Sequence, residues 1–392
     1  MTEGQTSSTR ARRLLVLLAF VAFISLGLPD AILGVAWPSI RHAFDRALDN
    51  LGILLFAGTL AYMISSFCAG AMLRVMSVGT LLAASCACVT VALTGYALAP
   101  SFWWLVPVAF VGGLGAGAID SGLNLFAASH FSTRVMNWLH ACWGIGATTG
   151  PLVMTTVLGV GASYRVGYGI VAALLASLTL LFIITRRLWS DDHAAKTEHA
   201  TVSAGVALKQ PLVWQHMLIY FVYGGVETTA GQLLFTLFTE ARGLSVAAAG
   251  TTVGGYWAAL TIGRIVFGQF AVKATPRKLL LIGTIGAPLA AMLIALQGPV
   301  AIVGALALGF SLAPIFPTYM TITPQRLGPA IAPHAVGFQV AACAIGMMIL
   351  PGSVAAVSQR AGLEAISVFL IASTTVMLVL HLIAQRQRGL EG

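Results

Sequence analysis

Charge is what this 392-residue sequence has least of. Asp, Glu, Lys and Arg together make up 8% of it, against about 25% in a soluble domain. A water-facing surface cannot be built from that supply, so a soluble globular protein is excluded. Cysteine is also sparse. The five thiols, Cys68, Cys86, Cys88, Cys142 and Cys343, all fall inside apolar stretches, with no C-x-x-C pair and no metal-ligand spacing, and read as small buried side chains. No metal or cofactor is expected. Hydrolase and nucleotide signatures are missing as well: there is no H-E-x-x-H, no G-x-S-x-G and no G-x4-G-K-[ST]. Without a phosphate loop, any work the protein does is coupled to an ion gradient rather than to a nucleotide. The formal charge of +9 invites a nucleic-acid reading. No basic face with interleaved aromatics exists outside the apolar stretches to support one.

What the sequence has in abundance is apolar surface: 58% hydrophobic residues and a mean hydropathy of +0.92. At roughly 20 residues per membrane-spanning helix, the length accommodates twelve spans with short loops. Turn residues, charges and prolines place them at 14–43, 48–74, 77–99, 102–130, 134–161, 164–187, 211–241, 245–272, 276–297, 299–326, 331–360 and 362–386. The single sizeable hydrophilic stretch is 188–210. It divides the chain into an N-terminal six-helix bundle (1–187), a cytoplasmic linker (188–210) and a C-terminal six-helix bundle (211–392). The first apolar stretch follows a basic start, as a secretory signal would, but runs on to Trp37 without a small-x-small cleavage site and reads as an uncleaved span.

The cations obey a side preference. Arg10, Arg12 and Arg13 precede the first span, Arg186, Arg187, Lys196 and Lys209 surround the linker, and Lys273, Arg277 and Lys278 crowd one short loop. With a cytoplasmic N-terminus, Arg74, Arg134, Arg326, Arg386 and Arg388 fall on that same side, fifteen of the 21 Lys and Arg in all. This is the positive-inside pattern with both termini cytoplasmic.

The halves repeat. Asp30-x3-Gly34 matches Glu227-x3-Gly231 at a separation of 197 residues, Gly70 matches Gly268 at 198, and Gly146-x4-Pro151 matches Gly346-x4-Pro351 at 200. Parallel repeats of six helices are one way in which secondary transporters are built.

Three carboxylates interrupt the apolar stretches: Asp30, Asp120 and Glu227. A charged side chain at mid-bilayer costs about 2.5–3.5 kcal/mol on insertion scales, so it faces a partner or a cavity and marks a pathway by default. Asp30 follows Pro29, whose missing N–H can kink the first helix. An acid in apolar surroundings is cheaper to bury neutral than ionised, so each of the three is a candidate proton carrier. Asp120 and Asn124, four apart, share one helix face, and the asparagine amide suits a polar ligand. The glycines before them, Gly112, Gly113, Gly115 and Gly117, permit close helix approach. Tyr223 and Glu227 share a face in the same way, whereas Gln232 lies well around the helix. Glu227 has three possible roles: proton carrier, substrate acceptor, or stabiliser of an opened helix. Arg264 reads as a gating or structural ion-pair residue, because its stem can reach the cytoplasmic end. Arg74 in the loop after the second span is its gating counterpart. Trp143, Trp257 and Gln339 join Asn124 and Tyr223 as candidate substrate-binding groups. The aromatics Tyr62 and Tyr256 have the rings to stack on sugar faces, but read first as packing.

At these residues the sequence resembles the L-fucose/proton symporter branch of the major facilitator superfamily. The branch's first-helix acid falls at Asp30, and its fourth-helix acid with an asparagine four residues later falls at Asp120 and Asn124. Asp120 stands where the fucose permease pattern has Glu. The Tyr223 to Glu227 stretch resembles related permeases, while the fucose transporter itself has a neutral polar residue there. Asn137 to Gly144, Gly150-Pro151, Ala313 to Pro317 and Gly337 to Ala341 fit the same group. The superfamily's loop motif after the second helix keeps Gly70 and Arg74 but lacks its Asp. The resemblance implies an all-α membrane protein of twelve helices in two pseudo-symmetric bundles. Its activity would be proton-coupled symport of a small polar solute, a monosaccharide, by alternating access. The partners implied are that solute, protons and the lipid bilayer, with no nucleic acid. The chain is expected to be monomeric in a bacterial-type cytoplasmic (inner) membrane. Two other readings use the same fold: proton-coupled efflux of drugs or metabolites, and a transport-inactive nutrient sensor.

Overall fold

A computed structural model describes residues 3–131, 133–189, 203–270 and 275–386. Among these residues the regular secondary structure is all helix, joined by short turns. The first span is two helices, α1 (Glu3–Gly27) and α2 (Ile32–Ala43), separated by a turn at Leu28 to Ala31. Pro29 supplies no N–H to the carbonyl four residues back. The chain crosses the gap through shorter-range bonds, from the Asp30 N–H to the Gly27 carbonyl (3.3 Å) and from the Ile32 N–H to the Pro29 carbonyl (3.4 Å).

Spans two to six are α3 (Leu51–Met72), α4 (Val78–Leu98), α5 (Phe102–His130), α6 (Thr133–Gly159) and α7 (Tyr164–Thr185). A short α8 (Ala204–Leu208) precedes α9 (Pro211–Thr236), which closes in a π turn at Leu237–Ala241. Then come α10 (Val246–Phe270), α11 (Pro276–Ala295), α12 (Pro299–Leu312), α13 (Ile315–Ala361) and α14 (Ala365–Arg386). The long α13 holds the second part of one span, begun by α12, and the whole of the next: Gly328, at φ 75° and ψ 162°, breaks it in a conformation that glycine tolerates. Several helix starts carry a proline in the first turn, where no donor is lost, and a hydroxyl cap: the Thr275 side chain accepts from the Lys278 N–H, as Ser77 does from the Thr80 N–H.

Nine stretches of the described residues are long and apolar enough to cross a membrane, one of them, Pro299–Ala361, covering two spans. Helices α9 and α10 fall short of that composition. They carry Glu227 and Arg264, and their polarity is turned inward. Outward-facing positions are apolar: Phe67 is 91% exposed, and Ile184, Val303 and Leu289 are exposed too. So much exposed apolar surface fits lipid and not water.

The chain forms two compact units, Met1–Phe44 with Ala57–Lys196, and Asp45–Phe56 with Thr197–Gly392. Each contains a close helix crossing of the same kind. In the first, a Cβ at Gly146 of α6 would stand 2.2 Å from the Ile24 carbonyl oxygen of α1. In the second, a Cβ at Gly346 of α13 would stand 2.0 Å from the Phe221 carbonyl oxygen of α9. No side chain fits at either place. Ile24 and Phe221 are 197 residues apart in sequence, so these are one contact built twice. The second unit also holds a hydrogen bond from the Leu48 N–H to the side-chain oxygen Oε1 of Gln359 (3.0 Å).

Candidate functional site

In the first unit the break after α1 leaves Asp30 outside regular helix, with its side chain exposed. The α1–α6 crossing brings up Trp143, whose indole N–H donates to Asp30 Oδ2 at 2.9 Å. The neighbouring constellation rests on the α3–α5 crossing, where the glycines of α5 allow contact down to backbone. A Cβ at Gly117 would stand 2.2 Å from the Tyr62 carbonyl oxygen. Because α5 lies so close, the Tyr62 hydroxyl reaches across and donates to Asp120 Oδ2, while Asn124 Nδ2 donates to Asp120 Oδ1 at 2.8 Å. The Ser66 hydroxyl, one turn along α3, donates to the Gly117 carbonyl at 3.1 Å. Both side chains bonded to Asp120 are neutral.

In the second unit the buried acid has a cation. Glu227 of α9 is 7% exposed, and Arg264 of α10 places Nη2 3.7 Å from its Oε1. The same guanidinium nitrogen donates to the Tyr223 hydroxyl at 3.4 Å, and the Tyr256 hydroxyl donates to the Glu227 backbone carbonyl at 3.0 Å. The structure therefore gathers Tyr223, Glu227, Tyr256 and Arg264, and turns Arg264 toward the acid instead of along α10 toward its end. Trp257 is buried against α9, where a Cβ at Gly231 would lie 2.4 Å from its ring. Arg74 is exposed in the turn after α3.

Gln339 is placed elsewhere. It is fully buried, and its amide nitrogen contacts His216 Nδ1 (2.9 Å) and Thr323 Oγ1 (2.8 Å). It belongs to a polar cluster that the sequence reading passed over: His216, Tyr319, Thr323, Arg326, His381 and Gln385. Its order can be read from the bonds. The Arg277 Nε–H donates to Gln385 Oε1 (3.0 Å), which turns the Gln385 amide nitrogen to donate to His381 Nε2 (2.6 Å). The imidazole proton is then on Nδ1, facing the Tyr319 hydroxyl at 2.6 Å. The rule that singled out the carboxylates, a titratable group alone in an apolar helix, applies equally to His216 and His381 and could have found them.

At one end of each unit an arginine clamps the last carbonyls of a span, where unpaired acceptors accumulate. Arg165 donates to the Ala97 (3.0 Å) and Ala99 (2.7 Å) carbonyls at the end of α4. Arg242 donates to the Ile294 (2.6 Å) and Leu296 (3.1 Å) carbonyls at the end of α11, and grips Glu364 through two bonds of 2.9 and 2.8 Å. Those bonds from Arg242 hold the Glu364 carboxyl below the usual carboxylate range.

The chain is similar to known carriers over most of its length. It is 22% identical to the glucose/mannose transporter GlcP of Bacillus subtilis (strain 168) over 319 residues, 78% of this chain and 79% of that one. It is 21% identical to the human sodium-dependent glucose transporter 1 over 372 residues, 84% of this chain and 71% of that one. In fold it is similar to the nucleoside transporter NupG, with a TM-score of 0.76 at 14% identity, covering 96% of this chain and 98% of NupG. The fucose:proton symporter FucP of E. coli gives a TM-score of 0.64 at 15% identity, covering 95% and 99%. The Major Facilitator Superfamily pattern matches residues 15–351. This polytopic chain, with acids set inside two paired helix units, therefore belongs to the Major Facilitator Superfamily and is a membrane transporter, not an enzyme.

Proposed function

We propose that the protein is a proton-coupled symporter of a small polar solute, a monosaccharide, working by alternating access. The observation that carries this reading is Asp120: a carboxylate in the middle of a spanning helix, bonded to two neutral side chains. Such an acid can take up or release a proton without breaking an ion pair, and neutralising it lowers the cost of moving it through apolar surroundings. Asp30, held by the Trp143 indole, is the second acid of the same unit. Glu227 has Arg264 to balance it, which suits a fixed charge pair that orients a ligand better than a group that must cycle. Asn124, Trp143, Tyr223 and Trp257 supply amide, indole and phenol groups of the kind that bind sugar hydroxyls and ring faces. Gln339 is assigned to the packing of the second unit, since its amide nitrogen is engaged by His216 and Thr323. The names of the glucose/mannose transporter and the fucose:proton symporter support the sugar class. The distribution of Lys and Arg supports cytoplasmic termini in an inner membrane.

The test is uptake by purified protein in liposomes, with labelled glucose, mannose and fucose, under an imposed pH gradient or an imposed sodium gradient. Accumulation driven by pH alone is expected. Asp120→Asn is expected to abolish that accumulation while leaving solute exchange at zero gradient. Accumulation unchanged in this variant would remove Asp120 from the mechanism, and accumulation driven only by sodium would replace the proton.

A further inference from the structure

We infer that His381 is a proton-operated latch that ties the end of α14 to the start of α11. The latch uses neither Asp120 nor Glu227 and is independent of how the solute is driven. His381 is 1% exposed near the end of α14, a helix packed against α9, α11 and α13. A path of hydrogen bonds reaches it from the surface. Arg277, exposed at the start of α11, donates from Nε to Gln385 Oε1 at 3.0 Å. Gln385 is half-buried one turn beyond His381, and its amide nitrogen lies 2.6 Å from His381 Nε2. The other ring nitrogen, Nδ1, lies 2.6 Å from the hydroxyl of the fully buried Tyr319. The His216 ring of α9 packs edge-on against Tyr319, 5.1 Å between centroids, and Arg326 places Nη1 3.5 Å from His216 Nε2. The titratable and charged groups around His381 are thus Arg277 from α11, Tyr319 and Arg326 from α13, and His216 from α9.

Each bond fixes the next. A guanidinium has only N–H groups to offer, so Arg277 takes the Gln385 oxygen and leaves the amide nitrogen to face the ring. That nitrogen can only donate, so His381 Nε2 is bare and the ring is neutral, with its proton on Nδ1. A second proton would sit on Nε2, against the Gln385 N–H groups. Gln385 can accept it only by turning its oxygen to the ring, which sets its NH2 against the Arg277 Nε–H. One bond has to go, and it is the one to the exposed arginine, which water can satisfy instead. His216 has no such release. The Thr323 hydroxyl spends its proton on the Tyr319 carbonyl (2.8 Å) and so accepts from the Gln339 amide (2.8 Å), which holds that amide nitrogen on His216 Nδ1 (2.9 Å). The proton therefore goes to His381, and acid frees the last turn of α14 from α11. With the cytoplasmic termini proposed above, that turn lies on the cytoplasmic side, and the proton it reads is the cell's own.

The experiment is hydrogen exchange on the purified full-length protein, read by mass spectrometry at the amides of Leu382 to Gln385 and corrected at each pH by the rates of the unfolded chain. Between about pH 8 and about pH 4.5, the latter two units below an ordinary histidine, wild-type protection is expected to fall about tenfold. That is the size of losing one hydrogen bond from a charged donor. Arg277→Ala is expected to show low protection throughout, with no step. Gln385→Glu offers a carboxylate that accepts from Arg277 and from a protonated ring alike, and is expected to keep its protection across the series. Arg277 is exposed and Gln385 half-buried, so neither change opens the core. Wild-type protection that does not change with pH overturns the latch, as does a step of wild-type size in either variant.

Discussion

The two units share a backbone plan and differ in how they treat charge. Gly146 on Ile24 and Gly346 on Phe221 are the same crossing, and both leave no room for a Cβ. Yet the acids of the two units have different company. Asp120 is held by a phenol and an amide, whereas Glu227 is held by a guanidinium. The arginine clamps diverge in the same way. Arg165 reaches the end of α4 from the start of α7, and Arg242 reaches the end of α11 from beyond α9. Close packing tolerates almost no change in backbone separation, so it keeps the repeat alike. Side-chain charge has only to be balanced locally, and either of two facing helices can supply the balancing group.

The sharpest way to break this comparison is to attack the shared crossing. Gly146→Leu and Gly346→Leu each force a side chain against a carbonyl oxygen, and each is expected to abolish recovery of folded protein on size-exclusion chromatography. If one of the two were tolerated, the crossings would not be equivalent. The next largest effect separates the acids. Arg264→Met leaves Glu227 buried without its cation and is expected to cost about 3 kcal/mol, the lower end of the range for breaking a buried pair, because the contact is loose and Arg264 is 23% exposed. Adding Glu227→Gln is expected to restore most of the loss in thermal stability. No recovery would mean that Arg264 acts through Tyr223 instead.

A smaller effect distinguishes the clamps. Arg165→Ala and Arg242→Ala should each lower stability by about 1–3 kcal/mol, as expected for losing hydrogen bonds from a charged donor. Only the Arg242 effect should depend on acid pH. The carboxyl of Glu364 is held below its ordinary value by Arg242. Its contribution is therefore complete above the unfolded value near pH 4 and disappears as pH falls through the lower folded value. The smallest effect follows from the same pair. Because Glu364 is 53% exposed, Glu364→Gln should cost no more than about 1 kcal/mol at neutral pH, and the difference from wild type in a thermal-shift series should vanish at the acid end. A difference that persisted there would assign the loss to packing.

Much of this was readable in advance, wherever the information is local. The Asp120 and Asn124 bond follows from helical spacing alone, and the break at Asp30 follows from the ring of Pro29. Two of the three glycine markers of the repeat mark real contacts, at Gly146 with Gly346 and at Gly231 against Trp257. The third does not, since a Cβ at Gly70 or Gly268 would meet nothing, and packing offers no reason for it. Gln339 was read as a ligand group because its depth in the span suited one. Depth is a local property. Which way the residue faces is not, and His216 and Thr323 take its amide nitrogen.

By itself, then, the order of residues decided that this chain lives in a bilayer, that it folds as a repeated set of twelve helices, and that three acids stand where lipid would not accept them. Only the tertiary structure decided who meets those acids: Tyr62 from 58 positions away, Trp143 from 113, and Arg264 from the next helix. The reason is geometric. A helix's own pitch sets neighbours three and four residues apart, but its rotation and height against another helix are set by where the backbones can touch. That depends on every packed residue of both.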